Sequence, residues 1–334
     1  MRANIAERVL QHYVDNSRTL PWRSPPGEPA PEPYRVWLSE VMLQQTTVAA
    51  VVPRFERFLA RWPSIEALAA ASDDDILSEW AGLGYYARAR NLIACARQIA
   101  RRGGFPDNEA ELRELPGIGG YTAAAIAAIA FGRSAVVVDS NVERVVARLF
   151  GLERPTKARL RPAVSEITPE KRAGDFAQAM MDLGATVCRP RAPLCGQCPL
   201  NEDCLAFASG APELFPERKA KRPRPTRFAL AYWVERDGSV WLVRRPASGL
   251  LGGMAALPGS EPADDAPRSN EPILARVRHV FTHFALELIV IAAARPPAGD
   301  GWWQPLDSLP SAGLPSLYRK AAEAVVSARR RLAA

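Results

Sequence analysis

Four of the five cysteines, Cys188, Cys195, Cys198 and Cys204, crowd into 17 residues with the spacing C-x6-C-x2-C-x5-C, directly after a helical pattern over residues 175–183. Thiols held this close in a chain otherwise poor in cysteine read as soft metal ligands rather than as a disulfide framework. They oblige the chain to close a tight loop around one centre at the end of a helix. Zinc and iron–sulfur clusters both take four thiolates. Zinc sites are usually built from two short Cys-x-x-Cys pairs, and this array contains one. Cys95, alone between Ala94 and Ala96, reads as a small buried apolar residue.

The 334 residues suffice for two domains. A hydrophobic content of 48% with 24% charged residues is that of a chain that folds around sizeable cores. The net charge of +7 excludes an acidic solvating protein. It fits either a polyanionic partner or an arginine-rich composition without special meaning. The N-terminus mixes charges through its apolar positions, unlike a signal peptide. No apolar run approaches the roughly 20 residues of a membrane span, so a soluble, cytoplasmic monomer with no membrane partner is expected.

Residues 1–208 read as helical. Tyr34, Trp37, Leu38, Val41 and Met42 form one stripe of a helix expected over 34–46, and similar periodicities cover 65–70, 74–80, 87–101, 122–131 and 142–150. The Pro-rich stretch 25–33 is a loop. Composition breaks at 209–225, where prolines alternate with charges in a stiff, basic linker. Beyond it the texture is β-like. Residues 228–235 and 240–244 flank Asp237-Gly238, a two-residue hairpin turn, and 280–291 is a further apolar strand. The expectation is an all-α domain followed by a smaller α+β domain over 226–334.

Three features of the helical part carry chemistry. Leu115-Pro116-Gly117-Ile118-Gly119-Gly120-Tyr121-Thr122 joins two helical segments. Gly117, Gly119 and Gly120 allow a tight turn whose N–H groups face outward at a helix start, where an anion such as a phosphate is favoured; a plain αα-turn is the bland alternative. Glu40 lies off the main stripe of its helix, between Val36 and Leu43 of a second apolar strip. A helix greasy on both sides is buried, so its carboxyl is expected to hold a proton at neutral pH, as a general acid must. Asp139 precedes Ser140-Asn141-Val142-Glu143, which can itself form a capping box and leave Asp139 an ionised carboxylate at a helix start; the competing reading makes Asp139 the cap and nothing more. Two carboxyls in such opposite surroundings suit the acid and the anion of glycosidic cleavage.

The strings LPWR (20–23), VWLSEVMLQQTTV (36–48), GLGYYARARNL (82–92), LPGIGGYTA (115–123), VDSNVERV (138–145), QAMMDLGA (178–185) and the cysteine loop occur in one order. Together they resemble the MutY-type adenine DNA glycosylases of the endonuclease III, or helix–hairpin–helix, superfamily over about 200 residues. The resemblance implies a [4Fe–4S] cluster on the four cysteines and phosphate binding by the glycine turn. It also implies that Glu40 protonates adenine, that Asp139, supported by Asn141, steadies the cationic sugar, and that Tyr121 replaces the Schiff-base lysine of bifunctional relatives. The enzyme would then be monofunctional, without strand cleavage of its own. Gln45, Thr46, Leu83 and Tyr85 match residues that wedge into the duplex when the base is extruded, and Arg18, Trp22, Arg23 and Asp182 match residues around the adenine pocket.

Residues 245–254 (RPASGLLGGM) and 257–259 resemble the C-terminal Nudix-like domain of the same family. Between Gly259 and His283 only Glu261 and Glu271 are present, not the glutamate array of a catalytic Nudix box, so this domain is expected to bind rather than hydrolyse. The run 278–284 (RHVFTHF) resembles the family's lesion-reading loop, with Phe281, Thr282 and His283 in place of Phe-Ser-His. The implied substrate is double-stranded DNA with adenine opposite 8-oxoguanine or guanine, met at the nucleoid of a bacterium, and the basic linker is a candidate contact for repair or replication proteins. Rival readings are a thymine-mismatch glycosylase, a non-catalytic iron–sulfur DNA sensor and a Nudix pyrophosphatase.

Overall fold

The computed structural model describes residues 3–217, 223–246 and 249–332; residues 218–222 of the expected linker, and Ala247 and Ser248, lie outside them. The helical periodicities are realised as α1 (Ala3–Asn16), α2 (Pro33–Leu43), α3 (Val48–Arg61), α4 (Ile65–Ala70), α5 (Asp73–Glu79), α6 (Ala87–Arg102), α7 (Glu109–Leu112), α8 (Gly120–Phe131), α9 (Ser140–Leu149), α10 (Lys157–Ile167), α11 (Ala173–Thr186) and α12 (Leu205–Ala208). Then follow β1 (Thr226–Trp233), β2 (Glu235–Arg236), β3 (Ser239–Arg244), β4 (Ala255–Ala256), β5 (Ile273–Val280), β6 (Ala285–Ala292), β7 (Trp302–Pro305) and α13 (Ser316–Leu332). The chain divides into two compact units, Met1–Ala70 with Asn91–Ala220, and Ala71–Arg90 with Lys221–Ala334. Among the described residues no helix is long and apolar enough to cross a membrane.

The first unit is built around α8. Thr122 through Ile129 are all buried, so this helix has no polar face. Its alanines let neighbours approach closely, and α2 and α11 pack on it. At Gly174 of α11 the approach is so close that a Cβ would lie 2.6 Å from the Ala128 carbonyl oxygen. Helix α2 buries the whole run Val36–Met42, with Trp37, Leu38 and Met42 at 0% exposure. It ends at Leu43, three residues short of the expected 46, because Gln45 adopts φ +56 and turns the chain towards α3. In α9, Val142, Val145, Val146 and Leu149 form the buried stripe.

The second unit departs from the expected hairpin. Asp237 (φ +47) and Gly238 (φ +71) do form a two-residue turn with both residues left-handed, but it joins β3 to the short β2. The longer β1 instead pairs parallel with β6, whose other edge carries β5 antiparallel. Val234 separates the two runs and is buried, so the chain changes sheets there. The expected strand 280–291 is likewise two strand ends: β5 stops at Val280, residues 281–284 turn with Phe281 N–H donating to the Phe284 carbonyl at 2.8 Å, and β6 starts at Ala285. Buried Ala229, Ala231 and Trp233 alternate along β1 and join Leu317, Tyr318, Ala321, Ala322 and Val325 of α13 in one core.

Gly174→Ala is expected to cost about 1–3 kcal/mol through overpacking, lowering the melting temperature by roughly 2–4 °C per kcal/mol. Gly120→Ala, whose Cβ would meet nothing within 4 Å, is expected to leave thermal stability unchanged or slightly raised; equal melting losses in the two variants would refute this reading of α8.

Candidate active site

One cleft of about 780 Å³ in the first unit gathers side chains from several segments. Arg18, Trp22 and Arg23 come from the stretch after α1, Glu40 from α2, Gln45 and Thr46 from the turn after it. Tyr121 comes from α8, and Asp139 and Asn141 from the start of α9. Most of the residues assigned from sequence to catalysis and base binding therefore share one cavity.

Glu40 is 7% exposed, and burial pushes its carboxyl up to about 7; the Tyr121 hydroxyl donating to it and the Arg23 charge act the other way, while nearby Asp139 adds to the rise. Burial also pushes the Tyr121 phenol up, with Glu40 and Asp139 adding to the effect, so it stays a hydrogen-bond donor. A carboxyl with this environment is poised to give up a proton near neutrality.

Asp139 is the N-cap of α9, contrary to the expected Ser140–Glu143 capping box. Its Oδ1 accepts from the N–H groups of Asn141 at 2.8 Å and Val142 at 2.7 Å, and its Oδ2 from Asn141 Nδ2 at 3.0 Å. The Asp139 carboxylate accepts from these donors, which makes Ser140 the first helical residue. The same carboxylate still faces the cleft, so capping fixes its orientation without hiding it.

Asn141 is fixed in turn. Arg144 Nη2 donates to Asn141 Oδ1 at 2.9 Å and to the Gly184 carbonyl at 2.6 Å, while its Nε donates to the Cys188 carbonyl at 2.8 Å. One turn on, buried Arg148 donates to Cys188 Sγ at 3.3 Å and to the Arg189 carbonyl at 2.7 Å. Arg144 and Arg148 were missed from sequence; their signal was the 3-and-7 spacing from Asn141 beside the valine stripe. Tyr13, also missed, hydrogen-bonds Arg23 from α1 and carried no local signal at all.

Cys188, Cys195, Cys198 and Cys204 all line one small pocket together with Arg148. Burial pushes the Cys195 and Cys204 thiols up and that of Cys198 to about 11, so thiolates there need a compensating cation. Among the described residues no three Cys, His, Asp or Glu side chains converge on a single ion. Cys95 is fully buried, as expected, and its thiol is pushed up to about 12.

In the glycine turn, Gly117 has φ +76, and a Cβ there would lie 2.7 Å from Asn91 Cβ. Gly119 is the N-cap of α8 with no side-chain cap, and around Gly119 and Gly120 a Cβ would meet nothing within 4 Å. The N-terminus of α8 thus has no side-chain cap and borders open space at Gly119 and Gly120, a surface that suits an anion.

The remaining candidates lie elsewhere. Asp182 is buried beside the cleft, where its carboxylate is taken up by Arg18 and Arg23, which line it. Leu83 and Tyr85 belong to the second unit. There Leu83 is buried, whereas Tyr85 is 47% exposed and its hydroxyl lies 2.9 Å from Thr282 Oγ1. Phe281 packs between His279 and Phe284, leaving Thr282 and His283 exposed at the tip of the β5–β6 turn. Glu261 pairs with Arg245 at 2.6 Å.

Residues 38–170 match the family model of the HhH-GPD superfamily base excision DNA repair proteins, and residues 229–324 that of the NUDIX domain. The chain is 33% identical over 373 residues to the adenine DNA glycosylase of Mus musculus, covering 88% of this chain and 72% of that protein. It is 40% identical over 220 residues to the adenine DNA glycosylase of Mycobacterium tuberculosis, covering 64% and 71%. Among solved structures, a thermostable thymine-DNA glycosylase superposes with a TM-score of 0.56 at 29% identity, over 62% of this chain and 97% of that one. A trapped endonuclease III–DNA covalent intermediate shares the fold, with a TM-score of 0.52 at 23% identity over 62% and 95%.

A carboxyl held at about 7 in the fold binds its proton more tightly there than in the unfolded chain. Its contribution is intact below the unfolded value near 4.5 and is lost as pH rises through 7. Glu40→Gln, which mimics the protonated form, is therefore expected to gain stability relative to the parent from pH 5 to pH 8, by up to about 3 kcal/mol in urea unfolding. A stability difference independent of pH would show that Glu40 is not held protonated.

Proposed function

The chain belongs to the adenine DNA glycosylases of base excision repair, and from that premise we propose that it removes adenine opposite 8-oxoguanine, and opposite guanine, in double-stranded DNA. The observation that carries the mechanism is Glu40, protonated near neutrality and facing Asp139 in one cleft. An extruded adenine enters the cleft, Glu40 donates its proton to the base, and the N-glycosidic bond breaks with its electron pair leaving on the protonated purine. Asp139, held by three N–H donors, steadies the positive sugar until water adds. Tyr121 keeps Glu40 in place and offers no amine, so the product is an intact abasic strand.

The glycine turn at residues 117–120 grips the DNA backbone. Gln45 and Thr46, with Leu83 and Tyr85, fill the gap left in the base stack, and Arg18, Trp22 and Arg23 hold the adenine. Cys188, Cys195, Cys198 and Cys204, which line one pocket, would hold a [4Fe–4S] cluster, which would neutralise the thiolates and tie their loop together. The catalytic domain is assigned to residues 1–208, of which 71–90 cluster with the second unit, the linker to 209–225 and the lesion reader to 226–334, whose exposed Thr282 and His283 meet 8-oxoguanine. A cytoplasmic, nucleoid-bound location follows from the substrate.

Duplexes carrying A:8-oxoG, A:G or T:G test this directly. Breakage at adenine, only after alkali, is expected; breakage at T:G, or none anywhere, would refute it. Glu40→Gln is expected to lower base release by about 10²–10⁴-fold while duplex binding is retained. Thr282→Ala is expected to narrow the preference for A:8-oxoG over A:G, and an unchanged ratio would remove the lesion-reading role. Protein purified without oxygen is expected to be coloured and to contain iron; a colourless zinc protein would overturn the cluster.

A further inference from the structure

Directly behind the cleft lies a buried ion cluster. Asp182, on α11, is 4% exposed, and both of its carboxylate oxygens are engaged by arginines. Oδ1 accepts from Arg18 Nε at 2.6 Å; Oδ2 accepts from the Arg18 backbone N–H at 3.0 Å and from Arg23 Nη1 at 2.7 Å. Tyr13 closes the cluster from α1 by hydrogen-bonding Arg23, with Asp175 in electrostatic reach of the phenol. Arg18 and Arg23 line the cleft, whereas Asp182 does not.

The charged and titratable groups that act on Glu40 are Tyr121 from α8, Asp139 from the head of α9 and Arg23 from the stretch after α1, and Arg18 lines the same cleft. Two positive charges therefore share a cleft with a carboxyl that must stay neutral to act. An unbalanced cation beside a carboxyl favours the carboxylate, typically by one to three pH units. With Asp182 in place, the two arginines are balanced by Asp182 and Asp139, and a protonated Glu40 leaves the site electrically even.

We propose that Asp182 acts through the two arginines, as the counter-charge that neutralises them beside Glu40 and so keeps a transferable proton on that carboxyl. Asp182 is then a positioning residue that need not touch the substrate, and it sets the pH range of the reaction. The inference rests on Glu40 being the proton donor.

The test is the pH dependence of single-turnover adenine release from an A:8-oxoG duplex. Asp182→Asn is expected to move the alkaline limb of the profile down by about one unit, an order-of-magnitude loss at pH 8 with a smaller loss at pH 6. Arg18→Gln removes a positive charge and is expected to move the same limb up, whatever it does to the height of the profile. Asp182→Glu is expected to restore the parent limb. A uniform loss at every pH, or limbs displaced in the same direction by the two charge changes, would overturn the proposal. Should Asp182→Asn show no cooperative melt, the Arg18→Gln profile decides alone. Glu40→Gln in the same assay separates the two levels: surviving turnover there refutes Glu40 as the acid, whereas lost turnover with an unmoved limb in the Asp182 and Arg18 variants refutes only the counter-charge.

Discussion

Keeping water away from one carboxyl is the constraint on which the first unit turns. A buried glutamate is costly unless it is neutral or paired, and a direct ion pair would remove its usefulness as an acid. The fold takes the first course. Helix α2 buries apolar side chains around most of its circumference, α8 closes the other side with alanines, and Glu40 is hydrogen-bonded by a neutral hydroxyl from Tyr121. The arginines that line the same cavity are turned towards Asp182.

Helix α9 supplies the second element of precision. Its N-cap is the second carboxylate, its first turn carries Asn141, and the next turns carry Arg144 and Arg148, which reach the backbone and sulfur of Cys188. Gly184 fits against Asn141 so tightly that a Cβ would lie 2.5 Å from the Asn141 Cβ. The position of Asp139 is thus fixed from both sides: by N–H groups at the helix start and by a lattice of donors reaching the cysteine loop. Such preorganisation is what electrostatic stabilisation of a developing charge requires.

What could be read from residues alone follows the range of the interactions involved. The α2 stripe and the buried glutamate were legible because both follow from periodicity within a few residues. The cap at Asp139 was misread because two local motifs competed for the same helix start, and side-chain reach decided between them. The parallel pairing of β1 with β6 spans some sixty residues of chain, beyond any turn signal, so the Asp-Gly turn was correctly located but given the wrong strand. The engagement of Asp182 depends on side chains more than 150 positions away and left no trace in its own helix.

The compact units are not consecutive in the chain. The peptide leaves the first after Ala70, spends residues 71–90 in the second, returns at Asn91 and leaves again near 220. Cutting the backbone between residues 217 and 223 would therefore not yield two self-sufficient fragments. The N-terminal piece would keep a helix, α5, whose Ile76 and Leu77 are buried in the intact molecule, while the C-terminal piece would lose that strand of its own fabric. Evolution or engineering that treats the halves as exchangeable cassettes would have to move the 71–90 excursion with the sheet-containing half or redesign its apolar face.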